Sequence, residues 1–230
     1  VVLNGSKTAV LNGSNAEILL VAVRESGEAT DSEGISVFMV DASSAGVSIQ
    51  SFANLDGKKS AEISFKDVIV PISRRLGASG SALQALQGSV DRATLAVSAE
   101  AIGAMESLLH KTVEYSKTRK QFGTAIGTFQ ALQHRMADMF IECQLARSIL
   151  IMAAMKLDSG EDALEKTKSV SAAKSRIGRA IQKVGQDAIQ IHGGIGMTEE
   201  LDVGHLFKSV TAAEIMFGNT DYHTQRFASL

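Results

Sequence analysis

The sequence predicts an α+β protein of more than one domain, part of a β-barrel or β-sandwich domain followed by an up-down four-helix bundle. Three observations predict it. Up to Pro71 the apolar residues come in short runs, punctuated by turn-forming pairs such as Asn4-Gly5 and Asn12-Gly13. Residues 74–80 form a glycine- and serine-rich linker, and beyond it the apolar period lengthens to that of a helix. The later stretches then carry long stripes with near-heptad steps, the pattern of helices that pack on one another. The boundaries drawn on this basis are 1–73, 74–80 and 81–230.

Lys7 to Leu11 lies between the two Asn-Gly pairs, which favour the positive φ angles of tight turns, so both pairs read as turns flanking a strand. Ile18 to Val23 is an unbroken apolar run and reads as a strand covered on both faces. Glu25 to Gly34, polar and rich in small residues, reads as an exposed loop. Ile35 to Val40 gives a further strand, with a turn through Ser43 to Gly46 after it. Ile63, Phe65, Val68 and Val70 predict the last strand, with an irregularity at Lys66-Asp67 where the alternation slips.

Leu95, Ile102, Met105, Leu109 and Val113 lie on one face of a first long helix. Leu132, Met136, Met139, Cys143, Ala146, Leu150, Ala153 and Leu157 form the stripe of a second, which Asp158-Ser159-Gly160 breaks. The third runs from about Asp162 to Ile191 and stops near His192, where Gly193, Gly194 and Gly196 form a corner that backbone or ligand can approach closely. A fourth helical segment lies between Val203 and Met216. The methionines read as core filler and Cys143 as a core thiol.

Composition narrows the function classes. Hydrophobic content of 45% and charged content of 21% describe an ordinary globular protein able to bury a core. A net charge of −2 excludes a non-specific nucleic-acid binder, which needs a basic face. The lone cysteine rules out an internal disulfide and fits a reducing compartment, so a cytoplasmic location is expected. No apolar run approaches a membrane span, and Val1 to Lys7 lacks the basic-then-apolar order of a secretion signal. Val1 opens directly into a strand pattern, which suggests the later part of something longer. The histidines show no metal-ligand spacing, and His192 and His205 read as structural.

Two segments carry chemistry. Arg119, Gln121 and Phe122 offer a guanidinium, an amide and an aromatic ring close together, a set suited to a phosphate-bearing nucleotide with a planar base. The glycine corner is the second. The TRKQFG segment beginning at Thr118 with the FQALQHRMADM stretch from Phe129, the QIHGGIGM corner from Gln190, and the paired NGSK and NG strand motifs follow the order and spacing of the acyl-CoA dehydrogenase family, which the whole chain resembles.

The resemblance implies an N-terminal helical domain, a middle β-domain and a C-terminal four-helix bundle, with FAD held between the last two and subunits assembled commonly as dimers of dimers. Residues 1–73 are similar to the second part of the middle domain, and 81–230 to the bundle. The expected activity is α,β-dehydrogenation of an acyl-CoA thioester, with electrons passed to an electron-transfer flavoprotein. Arg119, Gln121, Phe122 and Gln130, with Gln190, Gly193 and Gly194, are implied to reach the ADP part of an FAD held mainly by a neighbouring subunit. Asn219 and Asp221 are further flavin-side candidates.

The chemistry needs a positioned carboxylate base, and here the sequence departs from the family. Many members carry a glutamate in an I-Y-E-G-T-like motif; this chain has Phe217 in that position, or Gly218 if the alignment shifts by one. Others carry a Glu-Arg pair on the first bundle helix, where this chain has Asp91-Arg92, making Asp91 the candidate base or else one half of a structural ion pair. Ala9 and Leu11 likewise replace the aromatic and hydroxyl residues that many relatives set against the flavin ring. Two further readings follow: a non-catalytic subunit completing a partner's FAD site in a hetero-oligomer, and a helical interaction module without flavin.

Overall fold

The computed structural model describes residues 1–230, which divide into two compact units, Val1–Gln87 and Gly88–Leu230. In the first, β1 (Val2–Leu11), β5 (Lys59–Ile69) and β4 (Val47–Ala53) form one antiparallel sheet in that order. A second sheet runs β2 (Ile18–Arg24), β3 (Ile35–Asp41), β6 (Arg75–Leu76). Alternate residues of the strands, among them Leu19, Val21, Phe38, Val40, Ile63 and Phe65, point into one shared core.

Four details differ from the sequence-based expectation. Asn4-Gly5 is no turn but the inside of β1, opposite a bulge at Lys66-Asp67: Leu3 pairs with Val68 and Gly5 with Phe65. The Asn4 amide fills the role of the missing ladder bonds, accepting from the Asp67 N–H at 2.9 Å and donating to its carboxylate at 3.1 Å. The apolar run of β2 is covered on one face only; Ile18 and Leu20 are 50% and 66% exposed, because a strand sends alternate residues to opposite sides. β4 escaped the reading altogether, although Val47 and Ile49 alternate with Ser48 and Gln50. Residues 74–80, finally, are tied down rather than free. β6 pairs with β3, and the Glu25 carboxylate accepts from Ser36 at 2.6 Å, Ser79 at 2.5 Å and Arg75 at 3.3 Å. Those serine hydrogen bonds, followed by the arginine charge, hold the Glu25 carboxyl below its ordinary pKa.

The second unit is helical: α1 (Leu83–Thr118, beginning in the first unit), α2 (Gln130–Asp158), α3 (Ala163–His192), α4 (Asp202–Ile215) and α5 (Thr220–Ser229). Asp162 caps α3 by accepting from the Glu165 N–H at 2.8 Å. The predicted stripes meet in one core that includes Ile102, Met105, Met139, Cys143, Ile177 and Val184. Burial pushes the Cys143 thiol up to about 11, as befits a packing residue. The methionines divide: Met105 and Met139 are buried, whereas Met155 and Met197 are exposed. No helix is long and apolar enough to cross a membrane.

α5 was not predicted, since Thr220 to Ser229 is mostly polar. It docks through polar contacts instead. Asn219 caps it by accepting from the Tyr222 N–H at 2.9 Å, Thr224 and Ser175 share a hydrogen bond of 2.7 Å, and buried His223 donates from Nε2 to the Phe217 carbonyl at 3.0 Å.

Candidate functional site

α1 ends at Thr118, and the chain then makes a short hairpin, β7 (Lys120–Gln121) and β8 (Thr124–Ala125), before α2. The Arg119 N–H caps α1 through the Tyr115 carbonyl at 2.8 Å, and the Ile126 N–H returns to the Arg119 carbonyl at 2.9 Å. The two residues at the hairpin tip, Phe122 (φ 54°) and Gly123 (φ 83°), both adopt the left-handed region that a tight hairpin turn demands. For an aromatic residue that conformation costs on the order of 1 kcal/mol. Phe122 is nevertheless placed there and left 92% exposed, touching only the edge of Phe129. The ring therefore contributes little to packing within this chain.

Opposite the hairpin, α3 ends at His192, and Gly193 (φ 66°) turns the chain into a single 3-10 turn, Gly193–Met197. A side chain added at Gly193 or Gly194 would meet nothing within 4 Å, so their backbone faces open space. Gly196 differs, because a Cβ there would fall 2.9 Å from His192, and its role is internal packing.

These two segments face one cavity of about 530 Å³. Arg119, Gln121, Phe122, Gln190, Gly193 and Gly194, six of the predicted contact residues, all line it. Tyr115, one helical turn before Arg119, and His192 join them; their rings stack with centroids 4.4 Å apart at 26°. The four-residue spacing of Tyr115 from Arg119 is the sequence signal for that wall. Arg119 is the one fixed charge on the lining, and no carboxylate borders it. Such a site can hold an anion and a planar ring, and it offers no carboxylate to abstract a carbon-bound proton.

Four other expected residues stand elsewhere. Gln130 is the first residue of α2 and lies off the cavity wall. Asn219 and Asp221 sit at the start of α5, the first spent on its cap and the second exposed beside the helix N-terminus. Asp91, the candidate base, is 2% exposed with both oxygens taken: Arg226 donates to one at 2.6 Å and Thr167 to the other at 2.8 Å. These bonds tie α1 to α5 and to α3 through Asp91. Near Phe217 (φ 58°), one oxygen of the Glu214 carboxylate accepts from the Thr220 N–H at 2.9 Å and its hydroxyl at 2.8 Å.

Fold and cavity together define a β-unit and a helical bundle, the latter carrying at the ends of three helices a cavity lined by one guanidinium, two amides and two glycines. Residues 82–229 match the family model "Acyl-CoA dehydrogenase, C-terminal domain" and residues 1–68 the model "Acyl-CoA dehydrogenase, middle domain", and the chain belongs to the acyl-CoA dehydrogenase family. Among curated relatives, the short-chain-specific acyl-CoA dehydrogenase of Megasphaera elsdenii is 29% identical over 95% of this chain and 57% of its own length. Of solved structures, PigA with FAD and proline superposes with a TM-score of 0.91 at 28% identity, over 99% of this chain and 59% of that one. The ChsE4-ChsE5 complex of Mycobacterium tuberculosis gives 0.86 at 28% identity, with the same two coverages. The chain thus spans under three fifths of the length of the curated relative.

Proposed function

We propose that this chain belongs to an FAD-dependent acyl-CoA dehydrogenase that removes hydrogen from Cα and Cβ of an acyl-CoA thioester to give a 2-enoyl-CoA and passes the electrons to an electron-transfer flavoprotein. Within it, the bundle holds the ADP end of FAD. The observation that carries the reading is the convergence of Arg119, Gln121 and Phe122 with Gln190, Gly193 and Gly194 on one cavity that has a cation and no carboxylate.

The residues present fit the group. Arg119 offers its guanidinium to a pyrophosphate, the amides of Gln121 and Gln190 give directional hydrogen bonds, and the Phe122 ring offers a stacking face. Open space above Gly193 and Gly194 lets phosphate oxygens reach the backbone. When bound, the flavin supplies the hydride acceptor; the protein's part here is to bind and orient it.

A shared site requires a partner chain, and α2 presents a surface for one. From Ala137 to Met155, about 27 Å of helix, one stripe carries Phe140, Ile141, Leu145, Ile151, Met152 and Met155 in exposed positions. The charged residues Asp138, Glu142 and Arg147 lie beside this stripe and pair with Lys183, Arg176 and Glu106. An apolar stripe of that length, with its charges turned aside, suits an oligomer interface.

A specific observation favours a second reading, a non-catalytic subunit that completes a partner's FAD site: Asp91 is held by Arg226, and the resemblance puts Phe217, or Gly218 if the alignment shifts by one, where many members carry the glutamate. One experiment separates the two. Purified full-length protein shows a flavin spectrum under both. Under the first, an acyl-CoA bleaches it in the absence of any other protein; under the second, bleaching needs an added partner subunit. A colourless protein contradicts both.

A further inference from the structure

The imidazole of His192 is poised for a task that packing does not use. Its Nδ1 lies 2.8 Å from the Ala188 carbonyl. A carbonyl only accepts, so Nδ1 carries the hydrogen and the neutral ring presents a bare lone pair at Nε2. One ring face is covered by Tyr115. Nε2 itself finds no hydrogen-bond partner in the chain. It is not sealed off either, because the buried side-chain atoms without a partner are confined to Ser14, Asp56 and Asp187. The residue lines the cavity between the hairpin and the glycine corner. On that lining Arg119 can only donate hydrogen bonds, and an acceptor with its tautomer fixed by the helix is a separate resource.

We propose that His192 is a ligand-binding residue of this cavity, its Nε2 accepting a hydrogen bond from a hydroxyl or amino group at the adenosine end of the dinucleotide. The inference rests on the reading of the cavity as an FAD site and adds one directional contact to it. It assigns complementary duties: Arg119 and the glycine backbone serve the anionic part, and His192 serves a neutral donor. Tyr115 and the Ala188 carbonyl act as positioning partners, one fixing the plane of the ring and the other its rotation and tautomer.

The test is the dissociation constant of FAD for full-length protein stripped of its nucleotide, read by quenching of flavin fluorescence. His192→Phe keeps a ring against Tyr115 and deletes the acceptor, and should weaken FAD binding about tenfold. His192→Gln places an amide oxygen near the position of Nε2 and should recover most of that loss. The FAD analogue with hypoxanthine in place of adenine lacks the amino donor: unchanged discrimination between the two nucleotides in His192→Phe assigns the contact to a ribose hydroxyl, and lost discrimination assigns it to the amino group. Binding of FAD by His192→Phe within twofold of the wild type overturns the proposal. So does equal weakening by the Phe and Gln variants, which would mark the residue as packing only. Failure of the wild-type protein itself to bind FAD removes the cavity reading and this contact with it, an outcome distinct from the other two.

Discussion

At the scale of single residues, Asp91 and Lys174 show how the bundle treats buried charge. Asp91 has a cationic partner and a hydroxyl, so its ionised form is fully satisfied. Lys174 has only carbonyls: its Nζ donates to the last turn of α4 through Ala213 and Glu214, the latter at 3.0 Å. Burial lowers it to about 8, with Glu214 acting weakly in the other direction. Between pH 8 and its ordinary value of 10.5 the unfolded chain therefore holds a proton that the folded chain has released. Stability rises with pH through this window, by up to about 3 kcal/mol, and below it the full penalty is present. Cys143 works in the opposite sense above pH 9, because its thiol titrates later in the folded state than in the unfolded. The informative quantity is thus the difference between the wild type and Lys174→Met in urea unfolding. The wild type should gain on the variant from pH 8 to pH 10, and a constant difference would show that Lys174 is not desolvated as described.

At the scale of elements, the parts legible in the sequence were those fixed by periodicity. The stripes of α1, α2 and α3 are long enough that the helical period dominates any local choice, and the stop at Gly193 follows from glycine's backbone freedom. What escaped depends on tertiary partners. Asn4-Gly5 has the chemistry of a turn, yet the asparagine amide serves a bulge because Asp67 stands across from it. α5 has no apolar stripe, and its place is set by Gly178 of α3. A Cβ on Gly178 would lie 2.2 Å from the Thr220 hydroxyl, so α5 sits as close as it does only because that position is bare. Gly178→Ala should therefore cost about 1–3 kcal/mol despite the better helix propensity of alanine, with hydrogen exchange of Tyr222 to Arg226 quickened first. A variant as stable as the wild type would mean that α5 does not rest on α3 there.

At the scale of the whole molecule, the proposed function rests on ends of helices that are far apart in sequence. The reading of Arg119, Gln121, Phe122, Gln190, Gly193 and Gly194 as one group came from residue chemistry and from family order, and the fold brings all six to a single cavity. Asn219, Asp221 and Gln130 were named from family order alone, and in this chain they stand at the starts of α5 and α2, off that cavity. The base was never legible, because a carboxylate beside an arginine reads alike whether it faces a substrate or pairs across a bundle. On the proposed reading, the exposed apolar stripe on α2 and the nearly bare Phe122 are where a second protomer would sit.

The central claim is that a dinucleotide lies against the backbone of the glycine corner. Gly194→Val tests it most directly, since the added side chain meets nothing in the chain itself and projects where the ligand would lie. In the full-length protein, FAD affinity should fall by at least about an order of magnitude while the melting temperature of the nucleotide-free protein stays within a degree or two. Undiminished FAD binding by a folded Gly194→Val protein would contradict the account.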